Sequence, residues 1–582
     1  MRGVSMVIGS RVCHRGPARF VLVSLSVELN VAAIVDAVAE AHPDREALLF
    51  RDRRLTWATL AERTSRLANV LHDGGVGIRG TFGEGPRHSS VHDHVALYLH
   101  NGNEYLEGMI GSWKARAASF NVNYRYVSEE LEYLLTDSAA RAVIYHECFA
   151  PVLEPVLEGM GNPPGMLLQV ADGSGHPVED SCVGAVDYEE ALAAAAPELP
   201  GELAGCLSGD DLYLCYTGGT TGMPKGAMWR QEDFLIAALG VRRRDGSAYS
   251  SLGELVARAR GTVRALPAPP LMHGAAHWNA LSAWAAGGTV IIQDHPVHFD
   301  AADVLDAAER HAATSLLVVG DPMARPLLEE LERTPRELPA LRHLLSGGAV
   351  LSPTTKERIL EHLEGVTIVD VLGSTESGRQ AVAQARSGSE PAGEFRPESS
   401  AVVLDEALLR VLPPDDSSVG WLAQSGRVPL GYLGDPEKSR RTFPCIDGVR
   451  YSVPGDRARW RPDGSVELLG RDSVCINTGG EKVFAEEVET AIKTHPAVLD
   501  AVVCGRPSER WGSEVVAIVS LREAAGSGEV ADGELRETVG RHLAGYKVPK
   551  AIIRVDEVLR APSGKADYRW ARDLADGAVA TP

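Results

Sequence analysis

Positive charge is what this sequence lacks most: 79 acidic residues against 58 lysines and arginines give a formal net charge of -21. A field of that sign repels a polyphosphate backbone, so nucleic acid is not an expected partner and any anionic substrate must be held by local donors. The eight cysteines run from Cys13 to Cys504 with no CxxC pair and no Cys/His cluster at zinc spacing. That excludes a disulfide framework and a zinc site, and it fits reduced thiols in a cytoplasmic protein. Near the N-terminus, Arg2, Arg11, Arg15 and Arg19 surround or precede an apolar run, Phe20 to Leu25. The run is too short for a membrane span and no clear small-residue cleavage site follows, so residues 1–26 are expected to be a disordered extension without integral membrane association.

What remains is a chain of 582 residues, 44% hydrophobic and 24% charged, long enough for a large domain with a smaller one beside it. From Asn30 to Leu71, apolar residues recur at helical spacing in two stretches, the second opening at Thr56 as N-cap before Trp57, Leu60 and Leu67. Short β-rich runs at Val95–Leu99 and Ala142–His146, with helical segments between them, read as βαβ units and a parallel sheet. The same alternation from Gly288 to Leu372, through TVII, SLLVV and TIVDVL, predicts a second sheet layer. The polar stretch Ile78–Asp93 is expected to be a surface insertion, and a boundary near 471 introduces a small α+β domain. In that domain Glu486, Glu487 and Glu489 read as the solvated face of a helix.

The chemistry begins at Tyr216–Trp229, YTGGTTGMPKGAMW, directly after the apolar run Leu212–Cys215. Glycines let backbone approach an anion while amides and threonine hydroxyls donate to it, which makes a phosphate cradle at a strand end. It is not a Walker A loop, because Gly226 stands where that motif needs Ser or Thr. Further on come SGGAV at Ser346–Val350, DVLGSTESG at Asp370–Gly378, YSVPGD at Tyr451–Asp456, GRDSVCINTGGEKV from Gly470, and RAPSGK at Arg560–Lys565.

Together these strings resemble the adenylate-forming family of acyl-CoA synthetases, peptide-synthetase adenylation domains and luciferases, and the resemblance covers nearly the whole chain after residue 27. It implies an α/β fold: a large N-terminal domain of layered βαβ sheets with a small β-barrel-like part (27–470), a hinge (471–473) and a small mobile α+β domain (474–572). It implies ATP, Mg2+ and coenzyme A as cofactor and co-substrates. Thr217 would face the magnesium-bound phosphates, Gly218, Gly219, Thr220, Thr221 and Gly222 would wrap them, and Lys225 would add charge. Gly347, Gly348 and Ala349 would line the adenine and acyl pockets. Of Asp370, Leu372, Gly373, Ser374, Thr375 and Glu376, Thr375 would bond the α-phosphate and Glu376 would hold magnesium. Leu372 departs from the family, which has an aromatic residue there to stack on adenine. Asp456 and Arg471 would hold the ribose hydroxyls, and Ser473 takes the hinge position, often Asp or Lys. Asn477 stands where luciferases have a lysine, which favours CoA ligation, with Gly479 and Gly480 bordering the pantetheine channel.

Lys565 would stabilise the negative charge that grows on the α-phosphate during attack. In PAPPLMHGAAHW (Pro267–Trp278), His273 is the candidate gate and His277 a possible pocket wall, each with core packing as its alternative. The strings NVNYRY, LMHGAAHW, RVPLGY and CINTGGEKV look like bacterial fatty-acyl-CoA synthetases, especially those acting on sterol side-chain acids. The resemblance thus implies a carboxylic acid:CoA ligase for a long or bulky hydrophobic acid. An acyl-AMP ligase that delivers to a carrier-protein thiol and a nucleotide-binding protein without turnover stay open as alternatives.

Overall fold

The two early helices are Val31–Ala41 and Trp57–Asp73. Asn30 caps the first by accepting from the Ala33 amide, and Thr56 caps the second by accepting from Thr59, each at 3.2 Å, so the orphan amides of both first turns find side-chain oxygens. The structure, a computed structural model, describes residues 29–577 except 179–180, 220–221, 388–394, 472–473, 479–480, 509–510, 523–529, 544 and 561–563. The expected N-terminal extension lies outside the described residues.

Between the two helices the periodicity gave no warning of a β-hairpin, Glu46–Phe50 and Arg53–Thr56. Its first strand pairs in parallel with Thr289–Ile292, a partner so remote in sequence that no local pattern announces it. The hairpin forms one edge of a nine-stranded sheet. This sheet takes in the expected strands Thr289–Ile292, Ser315–Val318 and Thr367–Ser374, with Arg264–Pro267 and His343–Gly347 between them. A second, all-parallel sheet of five strands includes His94–Tyr98 and Ala140–His146. One buried cluster joins inward side chains of both sheets to the helices Val31–Ala41, Trp57–Asp73, Asn103–Lys114 and Gly274–Ala285. Apolar burial on this scale is the main favourable term in the fold.

Residues 401–471 form a separate seven-stranded antiparallel sheet with its own small core around Val403, Leu422 and Trp460. The segment Ile78–Asp93 is mostly exposed and closes on itself through Arg79 N–H to Val91 O at 2.7 Å. Its His88 carbonyl also accepts from the Gly434 amide at 2.9 Å, so the excursion is tied to the turn that follows Tyr432.

Sheet membership changes between Arg471, which pairs with Asp456, and Cys475, which pairs with Phe484. The last domain is a five-stranded sheet covered by the helices Ala485–Ile492, Asp532–His542 and Tyr568–Ala575. Its first helix corrects the expectation of a solvated acidic face. Glu489 is buried and accepts from the Val503 amide at 2.9 Å, and burial raises its pKa. Glu487 caps the helix by accepting from Phe484 N–H at 3.0 Å and pairs with Lys547 at 2.6 Å. Charge pattern alone could not show that neighbouring strands and a distant lysine cover this face.

Candidate active site

The Gly/Thr-rich string folds as a hairpin, Leu212–Gly219 against Gly222–Arg230, with Thr217 opposite Lys225 and a register shift beyond Thr217. Thr220 and Thr221 lie outside the described residues, so the structure speaks for the arms, including Gly218, Gly219 and Gly222, and not for the tip. Asn121, from the second strand of the other sheet's first βαβ unit, clamps the hairpin. It donates to the carbonyls of Tyr216 and Met272 at 2.8 Å each and accepts from the Tyr216 amide at 2.8 Å. One amide thereby ties the Gly/Thr-rich hairpin to the PAPPLMH segment. Asn101 shapes that segment from the other side, accepting from Leu271 N–H at 2.6 Å and donating to Pro269 O at 3.1 Å.

The strand Thr367–Ser374 delivers Thr375 and Glu376 to the hairpin. Thr217 Oγ1 lies 3.4 Å and Tyr432 Oη 3.0 Å from Glu376 Oε1, both donating to it. The turn itself is held by its backbone: Trp229 Nε1 donates to Thr375 O at 2.8 Å and Ser452 Oγ to Glu376 O at 2.7 Å. Gly378 closes the turn at φ +68°, where a Cβ would come within 3.0 Å of Ala238 Cα, so both backbone conformation and space require glycine. Gly373 is equally constrained, since a Cβ there would meet Gly378 O at 2.2 Å.

The other expected residues divide. Lys225 stands between Asp137 and Asp435, at 3.7 and 3.8 Å. Asp370 forms an ion pair with the buried Lys356, a contact within the scaffold of the sheet, and burial raises its pKa. Leu372 packs against the Val403–Trp460 core of the antiparallel sheet. Gly347 ends the strand His343–Gly347 and Gly348 and Ala349 follow it, with Gly348 at φ +88°; Ala349 and Val350 pass close to Gly320, where a Cβ would strike Val350 O at 2.5 Å. Ser374 Oγ donates to Ser377 Oγ at 3.2 Å. Asp456 is buried, opposite the backbone of Arg471. Ser473, Gly479 and Gly480 lie outside the described residues.

The two histidines separate cleanly. His277 is a core residue, which corrects its reading as a pocket wall: Nδ1–H donates to Leu271 O at 2.7 Å, so Nε2 accepts from Tyr213 Oη at 2.6 Å. Tyr213 Oη in turn accepts from Trp278 Nε1 at 2.6 Å. His273 sits at the N-cap of the helix Gly274–Ala285, and its buried Nε2 has no hydrogen-bond partner among the described residues. Burial first, then the charges of Lys565 and Arg125, push its pKa down to about 4, so the ring is neutral at pH 7. The neighbouring Gly274 is close to Thr375, whose Oγ1 would be 3.7 Å from a Cβ at that position.

The charge of Lys565, from the small domain, is thus among those that bear on His273. Gly564, at φ +76°, rests against Val319 and Pro322 of the large domain, and Arg325 of the large domain donates to Leu499 O of the small one. Thr217, Tyr432 and the turn of Thr375 and Glu376 thus meet beside Gly274, while Asp370 pairs with Lys356 and His277 with Tyr213 and Leu271. Sequence reasoning missed Asn121, Tyr432, Trp229 and Ser452. All but Ser452 and Trp229 lie in strings read only for their likeness to other proteins, and none carries a charge that would single it out.

Residues 35–433 match the family described as AMP-binding enzyme, and residues 487–565 match the AMP-binding enzyme C-terminal domain. The chain belongs to the AMP-binding enzyme family. It is 48% identical over 550 residues to the medium-chain acyl-CoA ligase Mig of Mycobacterium avium, covering 94% of this chain and 98% of that one. It is 40% identical to a 3-oxocholest-4-en-26-oate–CoA ligase of Rhodococcus rhodochrous, over 94% and 96% of the two chains. Among solved structures, the anthranilate CoA ligase AuaEII in complex with anthranoyl-AMP shares the fold, with a TM-score of 0.77, 21% identity and coverage of 95% and 98%. This AMP-binding enzyme is an acyl-CoA synthetase of mixed α/β architecture, with a large and a small domain, that uses ATP and CoA.

Proposed function

We propose that the enzyme joins a hydrophobic carboxylic acid, a long-chain fatty acid or a bulky acid of the sterol side-chain type, to CoA through an acyl-AMP intermediate. The observation that carries the reading is the contact of Thr217 with Glu376 beside the His273 segment, with the charge of Lys565, from the small domain, bearing on His273. The choice of acid rests on the relatives, whose names specify medium-chain and 3-oxocholestenoate substrates.

In the first step a carboxylate oxygen of the acid bonds to the α-phosphorus of ATP, and the bond to the bridging oxygen breaks with its electron pair leaving on pyrophosphate. Lys565 offsets the charge that grows on the α-phosphoryl oxygens, and Thr375 donates to them. Thr217, Lys225 and the glycine amides hold the leaving group. The Thr217 hydroxyl and Glu376 carboxylate, 3.4 Å apart, are the hard oxygen donors that magnesium bound through phosphates takes. When bound, that ion supplies positive charge against the β- and γ-phosphates. Asp456 and Arg471 hold the ribose.

In the second step the CoA thiolate bonds to the acyl carbon and AMP leaves with the electron pair of the broken C–O bond. The small domain turns about residues 471–473 to exchange Lys565 for the CoA channel bordered by Gly479 and Gly480. His273, neutral and with Nε2 unpartnered, acts as a movable wall rather than as a base. Among the described residues no helix is long and apolar enough to cross a membrane.

Mass spectrometry of the protein with ATP, magnesium, CoA and a pooled panel of fatty, aromatic and sterol side-chain acids tests this reading. Acyl-CoA from a fatty or sterol acid supports it. Acyl-AMP without acyl-CoA would assign transfer to a carrier-protein thiol, and thioesters of aromatic acids alone would overturn the choice of substrate.

A further inference from the structure

The loop that carries Lys565 is pinned by a guanidinium. Arg560 makes a two-pronged ion pair with Asp500, Nε to Oδ2 at 2.6 Å and Nη2 to Oδ1 at 2.7 Å, and its third nitrogen, Nη1, donates to the Gly564 carbonyl at 3.1 Å. A planar fork has the geometry to serve a carboxylate with two donors and still present another elsewhere, which a lysine cannot copy. Arg560 also bridges Ala566 through the backbone, so the residues before and after Lys565 are both tied to one side chain or its backbone. Asp500 is shared with Lys493 at 2.9 Å, and the two cations hold its carboxyl well below the usual range despite burial. The residue before Asp500 is Leu499, whose carbonyl accepts from Arg325 of the large domain, itself paired with Asp321 at 2.8 Å.

A single dipeptide, Leu499–Asp500, therefore takes the domain contact on its backbone and the Lys565 loop on its side chain. We infer that Arg560, seated on Asp500, is a positioning residue for adenylation: it transmits the docked placement of the small domain to Lys565. It touches neither ATP nor acid and acts only through the loop. The inference rests on the adenylating role proposed for Lys565.

The test measures two half-reactions on full-length protein: pyrophosphate release with dodecanoic acid and ATP, and dodecanoyl-CoA formation from supplied dodecanoyl-AMP and CoA. Arg560→Ala is expected to slow the first by about tenfold to a hundredfold, as a displaced catalytic group does, with KM for ATP little changed and the second half-reaction intact. Arg560→Lys should recover only part of the loss. Lys493 still neutralises Asp500 in these variants, which favours folding; should Arg560→Ala not fold, Asp500→Asn gives the same split by unseating the guanidinium. Equal loss in both half-reactions would mean a purely structural role, and no loss would mean the loop is set by other contacts; either overturns the inference. Lys565→Ala is run beside them: if it keeps adenylation, the role given to Lys565 fails, and if it loses adenylation while Arg560→Ala does not, only the clamp fails.

Discussion

Glu376 and Lys565, two charged groups given roles in the proposed adenylation, are held by opposite means. Glu376 is fixed by hydrogen bonds from Thr217, Trp229, Tyr432 and Ser452, to its own side chain and to the backbone of its turn. All four donors belong to the large domain. Lys565 arrives on a loop anchored to Arg560 and rests on the large domain through Gly564 and the Arg325–Leu499 contact. The difference matches what each group must do in a two-step reaction. Phosphate-binding groups gain from rigidity, because preorganised dipoles need no rearrangement during the step, whereas a group wanted in one half-reaction has to be removable.

The strongest attempt to break this comparison is Lys565→Ala. Loss of a transition-state charge partner costs about 10²–10³ in rate, and here it should fall on adenylation alone, with ATP binding and thioester formation from supplied acyl-AMP preserved. Single-turnover pyrophosphate release set against thioester formation reads the split; a uniform loss would mean that Lys565 serves both steps.

Next comes the rigid half. Asn121→Ala removes three hydrogen bonds and strands the buried Tyr216 amide, so unfolding stability should drop by about 2–3 kcal/mol, measured by urea denaturation. Both half-reactions should suffer, because the hairpin and the His273 segment share this one clamp. A variant with unaltered stability would show that the hairpin is held mainly by its own ladder.

Asn121 also shows where the sequence stops being legible. The Gly/Thr-rich hairpin, the Glu376 turn and the string ending in Lys565 stood out as candidates because each is a contiguous string of conspicuous glycines, threonines and charges. The clamps were not, because Asn121, Ser452 and Tyr432 act on partners 56 to 151 residues away and look like ordinary polar side chains. The same cause hid the edge hairpin at Glu46–Thr56, whose first strand pairs with Thr289–Ile292, more than two hundred residues away in sequence. It also misassigned Glu489 and left His277 open between pocket wall and core, since periodicity and charge show which way a side chain faces its own element but not what is packed there. The sheets in between were legible to within a few residues, because βαβ units advertise themselves by short apolar runs.

A third test uses acid. His273 has its pKa pushed down to about 4 from 6.5, so between those values the unfolded chain takes up a proton that the folded site refuses. Its contribution is intact above pH 6.5 and is lost as pH falls toward 4, by about 1 kcal/mol between pH 7.5 and 5.5. Comparing urea midpoints of wild type and His273→Gln at the two pH values isolates it: the wild type should lose more stability on acidification than the variant. Equal losses would mean that His273 protonates freely in the folded protein.

The smallest expected effect concerns Leu372, the one residue of the rigid half that departs from the family. It is half-buried and packs toward the Val403–Trp460 core; if the position also meets adenine, as the resemblance implies, leucine offers an apolar edge without the ring face that an aromatic supplies. Leu372→Phe should lower KM for ATP by about threefold, the size of a modest stacking gain, and leave thioester formation from supplied acyl-AMP unchanged. A larger ring can also be turned away by the Trp460 core, in which case KM would rise and stability would fall together. That outcome would place Leu372 with Asp370 and His277, as frame rather than nucleotide contact. The rigid half of the site would then meet adenine through other residues.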